Sequence, residues 1–402
     1  MFEPNDPPKT HPLSTLSPRV PFAFGRAAVL GAGAWGTALA GALHRAGLAT
    51  ALWMRDAERA DRLNATHRSD ALPGIALPAA LNATADLAAA TRNAPILILA
   101  VPAAATRGLA RRLAGTLAPG TLVLSASKGF EPETGAFMTE VLDDALGGHV
   151  LTGALTGPSF AGEVARGEAT LLTLAMAALA PAHPQRRLAQ RQADALTRAL
   201  AQAAIRLDSS ADTVGAQVGG ALKNQIAIAC GMATALGLGE NARAGILTRG
   251  LDDMRRLTCA LGGQPDTLLG SCGVGDLFLT AASAQSRNTR LGMRLAAGHA
   301  DTERHELTEG ATSARTVAVL EQRLGIRLEL AAAVRDALDG VRTPAQALAG
   351  LLEPQPRPRV KPRPDAAASA PAAAPLPALL RPQEHGRSRP AAKPHSRAPS
   401  HV

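Results

Sequence analysis

Apolar residues along this chain fall into two regimes. In the first half, short unbroken apolar runs are separated by longer mixed segments, as expected of parallel strands covered by helices. Ala27 to Leu30, Ala49 to Trp53, Ile96 to Val101 and Leu122 to Leu124 are such runs. Between the first two, Ala34 to Ala46 has the small apolar residues of a closely packed helix, and Gly47 stands where a helix end takes a left-handed residue. Residues 27 to 53 thus predict one strand–helix–strand unit of about 30 residues. From about Val214 the runs give way to long Ala- and Leu-rich segments at 214–236, 242–261, 289–298, 312–323 and 329–338, which predict helices. The expected architecture is α/β: an N-terminal doubly wound parallel sheet followed by an all-helical C-terminal domain.

At 402 residues the chain exceeds the roughly 250 to 300 at which single cores stop growing, so two domains are expected. Residues 1–25 carry six prolines and no apolar run of signal-peptide length, and read as a flexible leader. Residues 353–402 hold twelve of the 29 prolines among Ala and Arg, and read as a disordered tail. The folded part divides into 26–212 and 213–352. No internal repeat of fixed period is visible. The longest apolar stretch, Ala169 to Ala182, contains Thr170 and Thr173 and is broken by Pro181, well short of the roughly 20 residues of a membrane span.

The net charge of +9 raises the question of nucleic acid, but its distribution argues against it. The tail carries nine Lys or Arg against Glu353, Asp365 and Glu384, which leaves about +3 for the rest of the chain. Aromatic residues, needed to stack bases, are only 2%, and Tyr is absent. Cys230, Cys259 and Cys272 match no zinc spacing and are odd in number, so no metal and a reduced, cytoplasmic setting are expected.

The first candidate chemistry is Gly31-Ala32-Gly33-Ala34-Trp35-Gly36. Gly31 allows a tight turn, Gly33 lets backbone approach a pyrophosphate, and Gly36 lets helix and strand pack closely. The pattern follows a strand, opens a helix and precedes a second strand, the context that marks a Rossmann-type dinucleotide site. An NAD-specific site would place an acid at the tip of the second strand. Here the tip reads Trp53-Met54-Arg55-Asp56, and Arg55 either pairs with a 2′-phosphate, which favours NADP, or is a solvated surface residue.

Lys223 is the second candidate. Its helical neighbours Gly219, Gly220, Ile226, Ala227 and Cys230 are all small or apolar, so the side chain either snorkels from a half-exposed helix or is a buried acid/base group with a lowered pKa. Asp276, in the glycine-rich Gly270–Leu277 segment, is a candidate partner, with a helix N-cap as the alternative. Ser286, Arg287 and Asn288 lead into a helix, a composition suited to phosphate or to a plain solvated turn. Lys128 follows a strand, where open α/β sheets bind ligands, and Gly157 to Glu163 form another turn able to line a cleft.

Together these segments resemble the bacterial NAD(P)-dependent glycerol-3-phosphate dehydrogenases. The resemblance rests on GAGAWGTALA (31–40), SKGFEPETG (127–135), TGPSFAGE (156–163), VGGALKNQIAIACGM (218–232), GENARAGILTRGL (239–251), GVGDLFLT (273–280), QSRN (285–288) and the pair Glu309-Gly310, in the family's order over about 26–350. It implies reversible hydride transfer between NAD(P)H and dihydroxyacetone phosphate, giving sn-glycerol 3-phosphate for glycerophospholipid synthesis. By the resemblance, Ala34, Trp35, Arg55 and Ala161 contact the dinucleotide, Arg287 reaches cofactor and substrate, and Leu307 and Glu309 close the nicotinamide side. It further implies Lys223 as proton acceptor in oxidation, with Lys128, Gly157, Ser159, Asp276, Ser286 and Asn288 holding the substrate. The loop between Asn288 and Glu309 is a few residues shorter than usual in the family, and leader and tail have no counterpart there. Two other readings stay open: a related two-domain 3-hydroxy-acid dehydrogenase, and a dinucleotide-binding protein without catalysis. A homodimer is compatible with such a helical domain.

Overall fold

The structure is a computed structural model and describes residues 25–283, 286–298 and 309–353. The expected leader and tail, apart from Gly25 and Glu353, lie outside these residues.

The chain opens with β1 (Arg26–Leu30), α1 (Ala34–Arg45) and β2 (Ala49–Trp53), the unit expected from the sequence. Gly47 adopts φ of 90°, and the Leu48 N–H reaches back to the Leu43 carbonyl at 3.1 Å, so α1 ends on a left-handed glycine. There follow α2 (Ala57–Thr66), β3 (Asn82–Thr84), α3 (Leu87–Thr91), β4 (Ile96–Leu99), α4 (Ala103–Leu113), β5 (Leu122–Ser125), α5 (Met138–Leu146) and β6 (Leu151–Thr156). The fourth strand stops at Leu99, two residues before the expected Val101, because Pro102 lacks an N–H and sets the chain turning into α4. The first half closes with α6 (Ala161–Arg166), β7 (Thr170–Ala175), α7 (Arg186–Ala201) and β8 (Ile205–Ser210).

The eight strands form one sheet in the order β3-β2-β1-β4-β5-β6-β7-β8. Pairing is parallel from β3 to β6. The β7 strand then runs antiparallel to β6, in register Leu155 with Leu174, and β8 runs parallel to β7. Alternation within the apolar runs covers both faces: Ala27, Val29, Ile96 and Ile98 pack under α1 and α7, whereas Ala28, Leu30, Leu97 and Leu99 pack under α4 and α5.

The second half is helical: α8 (Thr213–Ala235), α9 (Gly239–Ala260), α10 (Asp276–Ala282), α11 (Arg287–Ala296), α12 (Glu309–Leu324), α13 (Glu329–Leu338) and α14 (Pro344–Leu352). Helix α8 is the axis of this half, buried at every residue from Gly215 to Ala233. Among the described residues no helix is long and apolar enough to cross a membrane, and Cys230, Cys259 and Cys272 are free thiols. Helices α8 and α11 approach closely because each offers a glycine: a Cβ on Gly231 would lie 2.0 Å from the Thr289 carbonyl oxygen, and one on Gly292 would lie 1.9 Å from that of Ile228. Alanine normally gains about 1 kcal/mol over glycine inside a helix. Gly292→Ala is expected to reverse that sign and cost about 2 kcal/mol or more, since rigid backbone meets the methyl group. A urea midpoint equal to or above that of the parent would refute this account of the contact.

Candidate active site

Strands β1 and β4 are neighbours although their helices leave toward opposite faces, which opens a crevice beyond their carboxyl ends. The glycine-rich loop lies in this crevice. Gly31 has φ of 116°, and a Cβ there would lie 2.5 Å from the Ala100 carbonyl oxygen; a Cβ on Gly36 would lie 1.9 Å from that of Gly31. Gly33 differs, being exposed with open space on its Cβ side. As the N-cap of α1 it has no side chain to occupy the first-turn N–H groups, which suits them to phosphate oxygens. The loop therefore fits a pyrophosphate. Ala34 and Trp35 open α1 half-buried, and the indole Nε1 of Trp35 is buried without a partner among the described residues. Ala161 begins α6 and packs on the same core as Ala34 and Trp35. Arg55 is exposed just past β2. Asp56 beside it caps α2 by accepting the Arg59 N–H at 3.0 Å.

Across the crevice the sheet meets α8. Gly219 and Gly220, one turn before Lys223, make that meeting possible: a Cβ on Gly219 would lie 2.3 Å from the Cys272 carbonyl oxygen, and one on Gly220 would lie 3.0 Å from the Thr156 hydroxyl and 3.6 Å from Cγ of Lys128. The segment Ser271–Gly275 coils as a single π turn against α8 and delivers Asp276 as the first residue of α10. Asp276 is fully buried. Its Oδ1 accepts from Lys223 Nζ at 2.5 Å and its Oδ2 from Lys128 Nζ at 2.8 Å. The N-cap alternative for Asp276 is thereby set aside, because Gly275 holds the cap position.

Lys223 is 6% exposed and also donates to Thr280 Oγ1 at 2.9 Å, whose own hydroxyl donates to the Asp276 carbonyl at 2.7 Å. Burial holds the Lys223 pKa below the ordinary lysine value; the nearby Lys128 ammonium works the same way, and the Asp276 carboxylate opposes both. Lys128 donates further to the Gly157 carbonyl at 2.9 Å, where the Ser159 hydroxyl also donates, at 3.0 Å. Its loop is tied down twice. The Ser127 hydroxyl donates to the Val101 carbonyl at 2.6 Å, and Glu131 is gripped by Arg107 through contacts of 2.6 and 2.9 Å, which hold its carboxyl below the usual range.

Ser286 Oγ caps α11 by accepting the Thr289 N–H at 3.3 Å, and Asn288 Oδ1 accepts the Gly310 N–H at 3.2 Å, contacts that use their acceptor oxygens. Arg287 is exposed at the start of α11. Leu307 lies outside the described residues, as does the side chain of Glu309, whose backbone begins α12. Three further polar groups line the site: Thr280, and the buried Asn224 Nδ2 and Thr156 Oγ1, which have no partner among the described residues. In sequence, Asn224 adjoins Lys223 and Thr280 lies one helical turn after Asp276, whereas Thr156 is 28 residues from Lys128.

Residues 26–182 match the family model for the NAD-dependent glycerol-3-phosphate dehydrogenase N-terminus, and residues 212–349 match that for its C-terminus. The chain belongs to this glycerol-3-phosphate dehydrogenase family. A glycerol-3-phosphate dehydrogenase (NAD(P)+) of Rhodospirillum rubrum is 44% identical over 333 residues, 81% of this chain and 91% of the relative. One of Aromatoleum aromaticum is 43% identical over 338 residues, 83% of this chain and 99% of the relative. Among solved structures, glycerol-3-phosphate dehydrogenase of Coxiella burnetii superposes with a TM-score of 0.75 at 33% identity, covering 82% of this chain and 99% of that one. In this chain the two family segments meet at the site: the N-terminal one carries Lys128 and the C-terminal one carries Lys223 and Asp276.

Proposed function

We propose that the chain catalyses reversible hydride transfer between NAD(P)H and dihydroxyacetone phosphate, giving sn-glycerol 3-phosphate. The observation that carries this reading is the buried Lys223–Asp276–Lys128 relay in a chain of that family. Residues 26–212 hold the dinucleotide, with Gly31, Gly33, Gly36, Ala34, Trp35, Arg55 and Ala161 around it; residues 213–352 supply the substrate side. When bound, the nicotinamide supplies or accepts the hydride. In reduction, protonated Lys223 donates from Nζ to the alkoxide forming at the substrate's central carbon. In oxidation, neutral Lys223 takes the hydroxyl proton. Asp276 and Thr280 fix the direction of Nζ, and Lys128 adds positive charge where negative charge develops. Gly157 and Ser159 set the Lys128 side of the pocket. Arg287, with Ser286 and Asn288 shaping its helix end, binds the phosphate, so that binding energy remote from the reacting carbon positions the ketone. Leu307 and Glu309 close the nicotinamide side.

Cytoplasmic formation of sn-glycerol 3-phosphate for glycerophospholipid synthesis belongs to the same proposal, as does a homodimer. Leu269 and Phe278, 70% and 68% exposed, are apolar side chains of the helical half that pairing would cover.

The relay predicts a pH profile. Oxidation needs the neutral amine, so its rate rises with pH and levels off above the relay's apparent pKa, which the lowered Lys223 value puts at about 8. Reduction needs the ammonium and falls through the same range. An oxidation limb still climbing to the ordinary lysine value of about 10.4 would contradict this assignment.

A further inference from the structure

Past the carboxyl end of β2 the chain carries a second arginine beside the dinucleotide loop. Arg59, in the first turn of α2, donates from Nη2 to the carbonyl oxygen of Ala32 at 3.2 Å. Ala32 is the second residue of the glycine-rich loop and precedes Gly33, whose Cβ side is open. The ends of β1 and β2 are level here: Leu30 pairs with Trp53, and the Gly31 N–H donates to the Trp53 carbonyl at 2.9 Å. Arg55 and Arg59 thus both follow the strand tip where the adenosine ribose lies in a doubly wound dinucleotide site.

A ribose 2′-hydroxyl is held by a carboxylate that accepts from it, and the acid nearest the tip, Asp56, has Oδ1 committed to the Arg59 backbone N–H as the α2 cap. Glu58 and Asp61 lie exposed on α2 itself. Beside that cap the tip presents two guanidinium groups, which donate only and stay charged at all working pH values. Arg59 spends one of its N–H groups on Ala32, a contact that holds the side chain in place and leaves further donors for a ligand. A pre-placed guanidinium loses less freedom on binding than a solvated one.

We propose that Arg59 is a specificity-determining residue, the second arm of a 2′-phosphate clamp shared with Arg55, through which the chain discriminates in favour of NADPH. The inference rests on the dehydrogenase reading above and deepens its cofactor side. It assigns the clamp one arm that is solvated, Arg55, and one braced on the loop that carries the pyrophosphate.

The test compares kcat/KM for NADPH and NADH, with dihydroxyacetone phosphate, in the parent chain, Arg55→Met, Arg59→Met and the double variant. The parent should favour NADPH, and Arg59→Met should lower the NADPH-to-NADH ratio about tenfold, with a larger drop in the double variant. Arg59→Lys, which keeps the charge but not the fork, should restore part of the ratio. A ratio unchanged in Arg59→Met, whatever happens to the absolute rates, would reduce Arg59 to a brace for the loop and overturn the proposal, as would a parent that favours NADH. Dissociation constants of NADPH and NADH, read from nicotinamide fluorescence without any ketone, separate this from failure of the dehydrogenase reading. If the ratio of those constants shifts in Arg59→Met while no ketone is reduced, the clamp stands and the substrate assignment falls.

Discussion

Lys223→Met is expected to lower kcat for dihydroxyacetone phosphate reduction by about 10²- to 10⁴-fold, the range that a positioned general acid contributes. Methionine keeps an unbranched side chain on α8 and removes the ammonium, its proton and its bonds to Asp276 and Thr280. The substitution should not collapse the fold, because Asp276 keeps Lys128 as its partner at 2.8 Å and Lys223 carries a burial cost of its own. Activity and stability are therefore separable. The measurement is single-turnover reduction beside a denaturant titration. A variant that folds normally and reduces the ketone within a few-fold of the parent rate would place the proton source elsewhere.

Asp276→Ala is expected to fail in both respects. It strands two ammonium groups in a buried site, and removing one partner of a buried pair typically costs about 3–5 kcal/mol. The surviving charges repel, so Lys223 loses its proton more easily still and reduction loses its acid. Asp276→Asn keeps the shape and one acceptor oxygen, so it should recover part of the stability while kcat stays depressed. Unfolding midpoints and kcat for both variants test this. Parental stability in Asp276→Ala would contradict the bridging role of this carboxylate, and parental kcat in Asp276→Asn would show that its charge is not needed.

How far the chain could be read from its sequence varies by element, for physical reasons. The β1–α1–β2 unit is legible because its pattern changes period between strand and helix and its glycines sit where only glycine fits. The reversed edge is not. Ile205–Ser210 alternates buried and exposed residues, carries Arg206 and Asp208, and resembles a polar turn, while the strand direction of Thr170–Ala175 leaves no trace in composition. Helix α8 is legible as buried because it is apolar nearly all round. Lys223 stands out there because burial penalises a lysine. Asp276 is visible as a candidate, but the choice between cap and ion pair depends on contacts spanning 53 and 148 residues of sequence. Thr280 and Arg59 look like ordinary surface-helix residues until folding sets them against Lys223 and Ala32. Ser286 and Asn288 also serve the fold, their side-chain oxygens accepting backbone N–H groups at the start of α11 and of α12, a double use that sequence alone does not reveal.

The most direct test of the central claim is NADPH and NADH consumption by the purified full chain with dihydroxyacetone phosphate, run beside unphosphorylated dihydroxyacetone and the keto forms of 3-hydroxy acids. Turnover of the phosphate ester with sn-glycerol 3-phosphate as product is expected, with kcat/KM at least about 10²-fold above the others, since a bound phosphate supplies several kcal/mol toward positioning. Equal turnover of phosphorylated and unphosphorylated ketones, or reduction of a keto acid alone, would contradict it.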